Sequence, residues 1–276
     1  MDSYPKIAKA LRQGGERHPE LADTIDLYCA LLEIQERAQV PPRRSTLASA
    51  EARARLDQGE PLLAPDELEA DSAALTALCF QIAFAIAERR RDRVNALARI
   101  HAWFHERQRE ARALAADYLR NGHLPAVGRG IEPGLLAFVY STGLRPFLRA
   151  RATDLTPLVN GTAWYRGYCP VCGGQPDMAA LEKNGGRRRL LCSRCDSEWT
   201  FRRLGCPFCA NEDPARLAYH PTDDHVYRLA VCEQCRRYLK TIDLREAAGE
   251  RSLAAERILS VSLDATAEKA GYRGGP

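Results

Sequence analysis

The chain has 276 residues, 28% of them charged, a formal net charge of +4 and ten cysteines, which is longer than one typical domain and enough to bury a substantial core. No stretch approaches the roughly 18 uncharged apolar residues of a membrane span, and the opening Met1-Asp2-Ser3-Tyr4-Pro5 leads into no apolar signal segment, so a soluble cytoplasmic chain without membrane insertion is expected. The basic runs Arg89-Arg90-Arg91 and Arg187-Arg188-Arg189 are short and mixed with Glu88, Asp92 and Glu182. They read as solvated helix ends and hairpin tips rather than a nucleic-acid face.

The first half reads as a helical bundle. Between residues 4 and 39, Ile7, Leu11, Leu21, Ile25, Tyr28, Leu31 and Leu32 recur at helical spacing. A break is predicted near Gly14-Gly15 and Pro19, and a stop at Pro41-Pro42. A polar connector carrying Gly59 and Pro61 follows, until Pro65-Asp66-Glu67 signals a new helix start. From there to Asn121 no Gly or Pro occurs, and two helices are expected, broken near residues 89–93. Their apolar face is read as Leu75, Leu78, Ile82 and Ile86, then Val94, Leu97, His101, Phe104 and Tyr118. Within the glycine-bearing residues 128–143, Leu135, Leu136, Phe138, Val139 and Tyr140 predict a short buried helix.

Near Thr162 the pattern changes to short β-branched and aromatic segments at 164–166, 178–181, 190–191, 199–204, 217–220, 226–231 and 238–244, each beside a turn or a cysteine pair. Eight of the ten cysteines form four Cys-x-x-Cys pairs: Cys169/Cys172, Cys192/Cys195, Cys206/Cys209 and Cys232/Cys235. Two thiolates three residues apart on a tight turn grip one ion from the same side, and two such pairs complete a tetrahedral site. Nineteen residues separate Cys172 from Cys192 and twenty-two separate Cys209 from Cys232, which predicts two consecutive four-cysteine ribbons. Neither ribbon has enough apolar residues to fold unaided, so metal binding belongs to the folding free energy. The sequence therefore divides into a helical domain at 1–163, ribbons at 164–205 and 206–245, and a helical tail at 246–276, where Leu253, Ile258, Leu259, Val261 and Leu263 restore helical periodicity.

Loaded with divalent ions, the two sites cancel the formal positive excess, because a cation held by four thiolates carries net −2. Redox pairs of thioredoxin type need a βαβ context that is missing here. Cys29 and Cys79 stand alone on apolar helical faces and read as ordinary buried thiols. His101 and His105 are four apart, but Ala102 stands where a His-Glu-x-x-His motif has its glutamate, so both read as core or groove histidines. His220 and His225 beside Asp223-Asp224 read as a surface hairpin tip. No phosphate loop, nucleophile elbow or carboxylate pair is recognisable, and no catalytic residue is assigned.

In order, Tyr168-Cys-Pro-Val-Cys-Gly173, Leu191-Cys-Ser-Arg-Cys-Asp-Ser-Glu-Trp199, Cys206-Pro-Phe-Cys209 and Cys232-Glu-Gln-Cys-Arg-Arg-Tyr-Leu-Lys240 resemble the FdhE family of formate dehydrogenase accessory proteins. The resemblance covers about residues 164 to 245 and continues through Leu263-Asp264 and Gly271-Tyr272. It implies a non-catalytic cytoplasmic maturation factor or chaperone that binds the catalytic subunit of respiratory formate dehydrogenase before export. It also implies rubredoxin-like sites holding two metal ions, iron or zinc, on all eight paired cysteines. A rubredoxin-like electron carrier and a zinc-ribbon nucleic-acid module are the alternatives; the near-neutral loaded charge speaks against the second.

Overall fold

The structure is a computed structural model describing residues 1–275 apart from 39, 41–44, 69 and 126–129, with the side chains of 109, 111 and 112 also outside the description. The expected stop at Pro41-Pro42 and the residue Gly128 lie outside the described residues. The N-terminal helices are α1 (Tyr4–Gly15), α2 (Ala22–Arg37), α3 (Ser49–Gln58), α4 (Ser72–Arg89), α5 (Val94–Glu106), α6 (Ala111–Asn121) and α7 (Pro133–Val159). Six strands follow: β1 (Pro176–Leu181), β2 (Arg188–Cys192), β3 (Glu198–Phe201), β4 (Leu217–Pro221), β5 (Tyr227–Cys232) and β6 (Arg237–Asp243). Helices α8 (Leu253–Leu259) and α9 (Val261–Lys269) close the chain. A helical region, a sheet with two four-cysteine clusters and a helical tail thus follow one another as expected.

Several boundaries differ from the sequence reading, each for a local reason. The break after Gly15 is present, but the connector contains α3, a stretch in which only Ala52 and Leu56 are buried. Gly59 ends it in the left-handed region at φ 84°, where a glycine adds no steric cost. Pro65–Glu67 forms only a 3-10 turn. Helix α4 begins later, at Ser72, because the Asp71 carboxylate accepts from the Ala74 amide at 2.7 Å and caps it. Residues 72–121 hold three helices rather than two: the break at 91–93 is as expected, and a second 3-10 turn at Gln108–Glu110 separates α5 from α6. Val94 and His101, expected inside, are exposed; Leu97, Ile100, Trp103 and Phe104 form the buried face of α5 instead. Helix α4 has a mean hydropathy of 1.2 over 18 residues, long and apolar enough by composition to cross a membrane, closer to that limit than the sequence reading allowed. Its Leu75, Leu78, Ile82 and Ile86 are buried in the main core.

The segment around Val139 belongs to the 27-residue α7, which runs through Pro146. A proline in a helix interior leaves the carbonyl four residues earlier without its amide partner. Here that carbonyl, on Thr142, accepts from the side-chain amide of buried Gln35 at 2.8 Å. The α2 side chain thereby repairs α7, and the two helices are locked together.

The strand order is β3-β2-β1-β6-β5-β4. Each ribbon supplies an antiparallel three-stranded half, and the halves join through a parallel β1–β6 pair with Met178 opposite Lys240 and Leu181 opposite Asp243. Residues 164–166, expected as a strand, form none. The main core contains helical residues such as Leu78, Ile82 and Leu144 together with Trp164, Cys169, Leu190, Trp199 and Leu239, so helical half and sheet share one interior. A separate cluster packs α1 and α2 on Ala255, Ile258 and Leu259 of α8.

Candidate metal centres

Each Cys-x-x-Cys pair sits on the same kind of turn. The residue following the second cysteine adopts positive φ in all four: Gly173 at 71°, Asp196 at 57°, Ala210 at 59° and Arg236 at 55°. The first cysteine's carbonyl accepts from that residue's amide in three of them, at 2.9 Å for Gly173, 3.0 Å for Ala210 and 2.9 Å for Arg236. This reversal brings amides onto sulfur: the Val171 amide donates to Cys169 Sγ at 3.4 Å and the Arg194 amide to Cys192 Sγ at 3.4 Å. Only one of the four positions is glycine, so the other three hold a conformation that L residues adopt at a cost.

The pairs combine consecutively, Cys169, Cys172, Cys192 and Cys195 in one cluster and Cys206, Cys209, Cys232 and Cys235 in the other, each with its sulfurs within 4.8 Å of one another. In the first, Cys169 Sγ to Cys195 Sγ is 3.7 Å, Cys172 to Cys192 3.5 Å and Cys172 to Cys195 3.4 Å. In the second, Cys206 to Cys235 is 3.6 Å and Cys209 to Cys232 3.7 Å. A disulfide needs about 2.05 Å, and all ten cysteines are free. A tetrahedron with metal–sulfur bonds of about 2.3 Å has edges near 3.8 Å, so both clusters fit a tetrathiolate cation site. Burial and the three neighbouring thiols push the Cys169 thiol well above its ordinary range, a cage that favours neutral thiols until a cation supplies the opposite charge. At Cys232 burial acts in the same sense, but the amides of Cys235 and Gln234 together with the Cys209 and Cys235 thiols outweigh it and lower the thiol.

The surroundings of the clusters differ. The first is wrapped by the helical half: the Leu62 and Leu63 amides donate to the carbonyls of Pro170 and Val171 at 2.9 and 2.8 Å. Tyr168 Oη donates to Gly59 O at 2.7 Å, and Arg194 Nη1 donates to Leu119 O at 3.1 Å. Asp196, directly after Cys195, is the hub: Arg145 Nη1 lies 2.6 Å, Arg149 Nη1 2.5 Å and Arg257 Nη1 2.9 Å from its carboxylate. Burial alone pushes the Asp196 carboxyl upward, yet the Arg145, Arg257 and Arg149 guanidiniums outweigh it and hold it well below the usual carboxylate range. Through this one side chain the knuckle is tied to α7 and α8. The second cluster lies nearer the surface, with Cys209 and Cys235 half-buried.

The remaining motif residues serve as braces. Tyr238 Oη donates to Asp264 Oδ1 at 2.8 Å and Lys240 Nζ to Asp264 Oδ2 at 2.7 Å, so β6 is fastened to α9. Trp199 Nε1 donates to Arg166 O at 3.0 Å. Tyr272 Oη is hydrogen-bonded to Glu233, and the Arg236 guanidinium lies 4.1 Å over the Tyr272 ring. Cys29 and Cys79 are buried, as expected. His101 and His105 are exposed, contrary to the reading of core or groove histidines, and His101 stacks on Phe80 with ring centroids 3.8 Å apart. His225 lies in the β4–β5 turn, and no further metal cluster occurs among the described residues. Arg188, read as solvated, is buried and donates to Gly205 O at 3.0 Å.

Sequence reasoning missed the Asp196 hub and its arginines. Two signals were present: the repeated Cys-x-x-Cys-X frame, which puts Asp196 in the strained fifth position, and Arg145 and Arg149 one turn apart among Leu144, Phe147 and Leu148.

Residues 168–203 match the family described as FdhE, central domain. The chain is 31% identical over 169 residues to the FdhE homolog of Aquifex aeolicus (strain VF5), covering 60% of this chain and 56% of that protein. It is 27% identical over 278 residues to the FdhE homolog of Stutzerimonas stutzeri (strain A1501), covering 98% and 87%. With the FdhE protein of Escherichia coli O127:H6 it shares 34% identity over 111 residues, 39% of this chain and 35% of that protein. The matched region thus spans about half of the Aquifex protein and a third of the Escherichia one. The crystal structure of the FdhE protein from Pseudomonas aeruginosa has the same fold, with a TM-score of 0.67 and 24% identity over 99% of this chain and 93% of that one.

Proposed function

The chain belongs to the FdhE family, and from that premise we propose that it is a non-catalytic accessory factor of the cytoplasm that binds the catalytic subunit of respiratory formate dehydrogenase and supports its maturation before export. The observation that carries this reading is how the family's motif residues are spent. Eight thiols close two cages, and Tyr238, Lys240, Asp264, Trp199 and Asp196 brace the sheet between the helical half and the tail. Such a framework is rigid enough to present a fixed surface to a folding client. Cys169, Cys172, Cys192 and Cys195 would hold one cation and Cys206, Cys209, Cys232 and Cys235 a second, iron or zinc. When bound, either cation supplies a cross-link between distant turns, and iron alone adds a one-electron couple.

Trp164 offers a client no exposed face, because its side chain is buried and donates to Tyr168 O at 2.8 Å. A pull-down with the formate dehydrogenase catalytic subunit as bait tests the partner: this chain is enriched over its level with an unrelated exported enzyme, and equal recovery overturns the reading. A second reading, electron transfer, draws on the half-buried Cys209 and Cys235. Visible absorbance of natively expressed protein that bleaches with dithionite favours it, and colourless protein holding only zinc removes it.

A further inference from the structure

A cavity of about 370 Å³ opens beside the second cluster, with Cys206 and Cys232 in its wall. Arg188, Arg203, Arg228, Arg237 and Arg245 line it. Asp243 is ion-paired with two of these, Arg228 and Arg245. The other three have no carboxylate partner among the described residues. Arg188, only 6% exposed, donates to the Gly205 carbonyl. Arg237 donates to Gln175 Oε1 at 2.8 Å and lies 3.9 Å over the Phe208 ring. Atoms of Arg203 and of Arg245 each come within 3.5 Å of the point where a Cβ on Gly186 would sit, so two guanidiniums converge there. Neutral oxygens and a ring face orient a cation without cancelling its charge. Even with Asp243 and a doubly negative cation cage counted against the five guanidiniums, an excess of about two positive charges remains.

The floor is apolar, built from Leu181, Leu217, Val231 and Leu239. At its rim stand Leu204, 70% exposed, and Tyr219, 61% exposed, two of the largest apolar surfaces that the described residues leave open. A small free anion would leave both uncovered. Forked guanidiniums match a carboxylate in two-bond geometry, and arginine and tyrosine grouped around an apolar pocket are the residues that dominate protein interfaces.

We propose that this cavity docks an acidic segment of a polypeptide partner, a carboxylate entering among Arg188, Arg203 and Arg237 while adjoining apolar side chains cover Leu204 and Tyr219. The inference rests on the reading that the chain works by binding a client, and it names the chemistry of the segment bound.

Metal-loaded full-length protein is titrated calorimetrically with three blocked heptapeptides identical except for a central Asp, Asn or Lys, with Leu and Tyr on either side. The Asp peptide binds, the Asn peptide binds at least tenfold more weakly, and raised salt weakens the Asp peptide. Arg203 is exposed, and its side chain has no hydrogen-bond partner among the described residues, so Arg203→Gln leaves the fold intact and lowers the Asp-peptide affinity about tenfold, while Arg53→Gln, outside the cavity, changes nothing. Equal affinity for the Asp and Asn peptides overturns the proposal, as does unchanged binding in R203Q. Saturation by inorganic phosphate without any peptide binding also overturns it. Capture of the formate dehydrogenase catalytic subunit separates the two layers: equal capture by wild type and R203Q sinks this docking site and leaves the client reading standing. Failed capture by wild type together with selective peptide binding strikes the client reading and supports the cavity's chemistry.

Discussion

The two cysteine clusters share a turn geometry and differ in what surrounds them. The first lies in the main core, with Cys169, Cys192 and Cys195 at 0% exposure, clasped by residues 62–63, by Leu119 and by three arginines converging on Asp196. The second belongs to the outer half of the sheet, two of its cysteines half-buried and its nearest cavity open to solvent. The same four-thiol unit is therefore a staple for the whole chain in one place and a support for a surface in the other. Burial decides which, because a cage inside the core cannot open without disturbing helices and sheet together.

The largest expected effect comes from removing a ligand on each side. Cys192→Ala should lose one ion per chain and destabilise helices and sheet together, whereas Cys235→Ala should lose one ion and leave the helical half intact. Elemental analysis with hydrogen exchange checks this, each structural site contributing on the order of 10 kcal/mol. Equal loss of protection in the helices would erase the distinction. Chelation of wild-type protein should empty the second cluster first, in two resolved kinetic steps; a single step for both ions would show that accessibility does not govern release.

Next comes Asp196→Ala, which leaves three inward guanidiniums without their shared carboxylate and should cost about 3–5 kcal/mol in denaturant unfolding. No counterpart residue near the second cluster should cost as much: Arg236→Ala, in the same turn position, is expected within about 1 kcal/mol. Gly174→Ala follows. A Cβ there would lie 2.8 Å from Cys192 Sγ and 3.0 Å from Arg194 Cδ, and such overpacking costs about 1–3 kcal/mol. It should weaken metal affinity at the first cluster alone, read by competition with a chromophoric chelator. The smallest effect is a gain: Ala210→Gly relieves a left-handed residue in the second cluster and should raise stability by up to about 1 kcal/mol.

Particular residues explain how far the sequence could be read. Cys-x-x-Cys spacing is local, so the eight thiols and their consecutive pairing were legible before any fold was known. The six strands were legible too, since each adjoins a turn or a cysteine pair, but residues 164–166 were misread as a seventh. Helix α3 escaped because only two of its ten residues are buried, and a helix without an apolar stripe leaves no periodic trace. The passage of α7 through Pro146 escaped because its repair comes from Gln35, 107 residues away from Thr142. His101 and Val94 were misplaced because periodicity alone does not select among neighbouring registers on a helix rich in apolar residues.

The eight paired thiols and the order helices–sheet–helices were fixed by neighbours in the chain, where turn sterics and side-chain period act within a few residues. Which cluster is sealed and which faces solvent, the parallel seam that makes two ribbons one sheet, and the gathering of Arg145, Arg149 and Arg257 on Asp196 were decided only by tertiary packing. Those features depend on groups far apart in sequence meeting in a shared interior, where the exclusion of water sets the strength of every charge and contact.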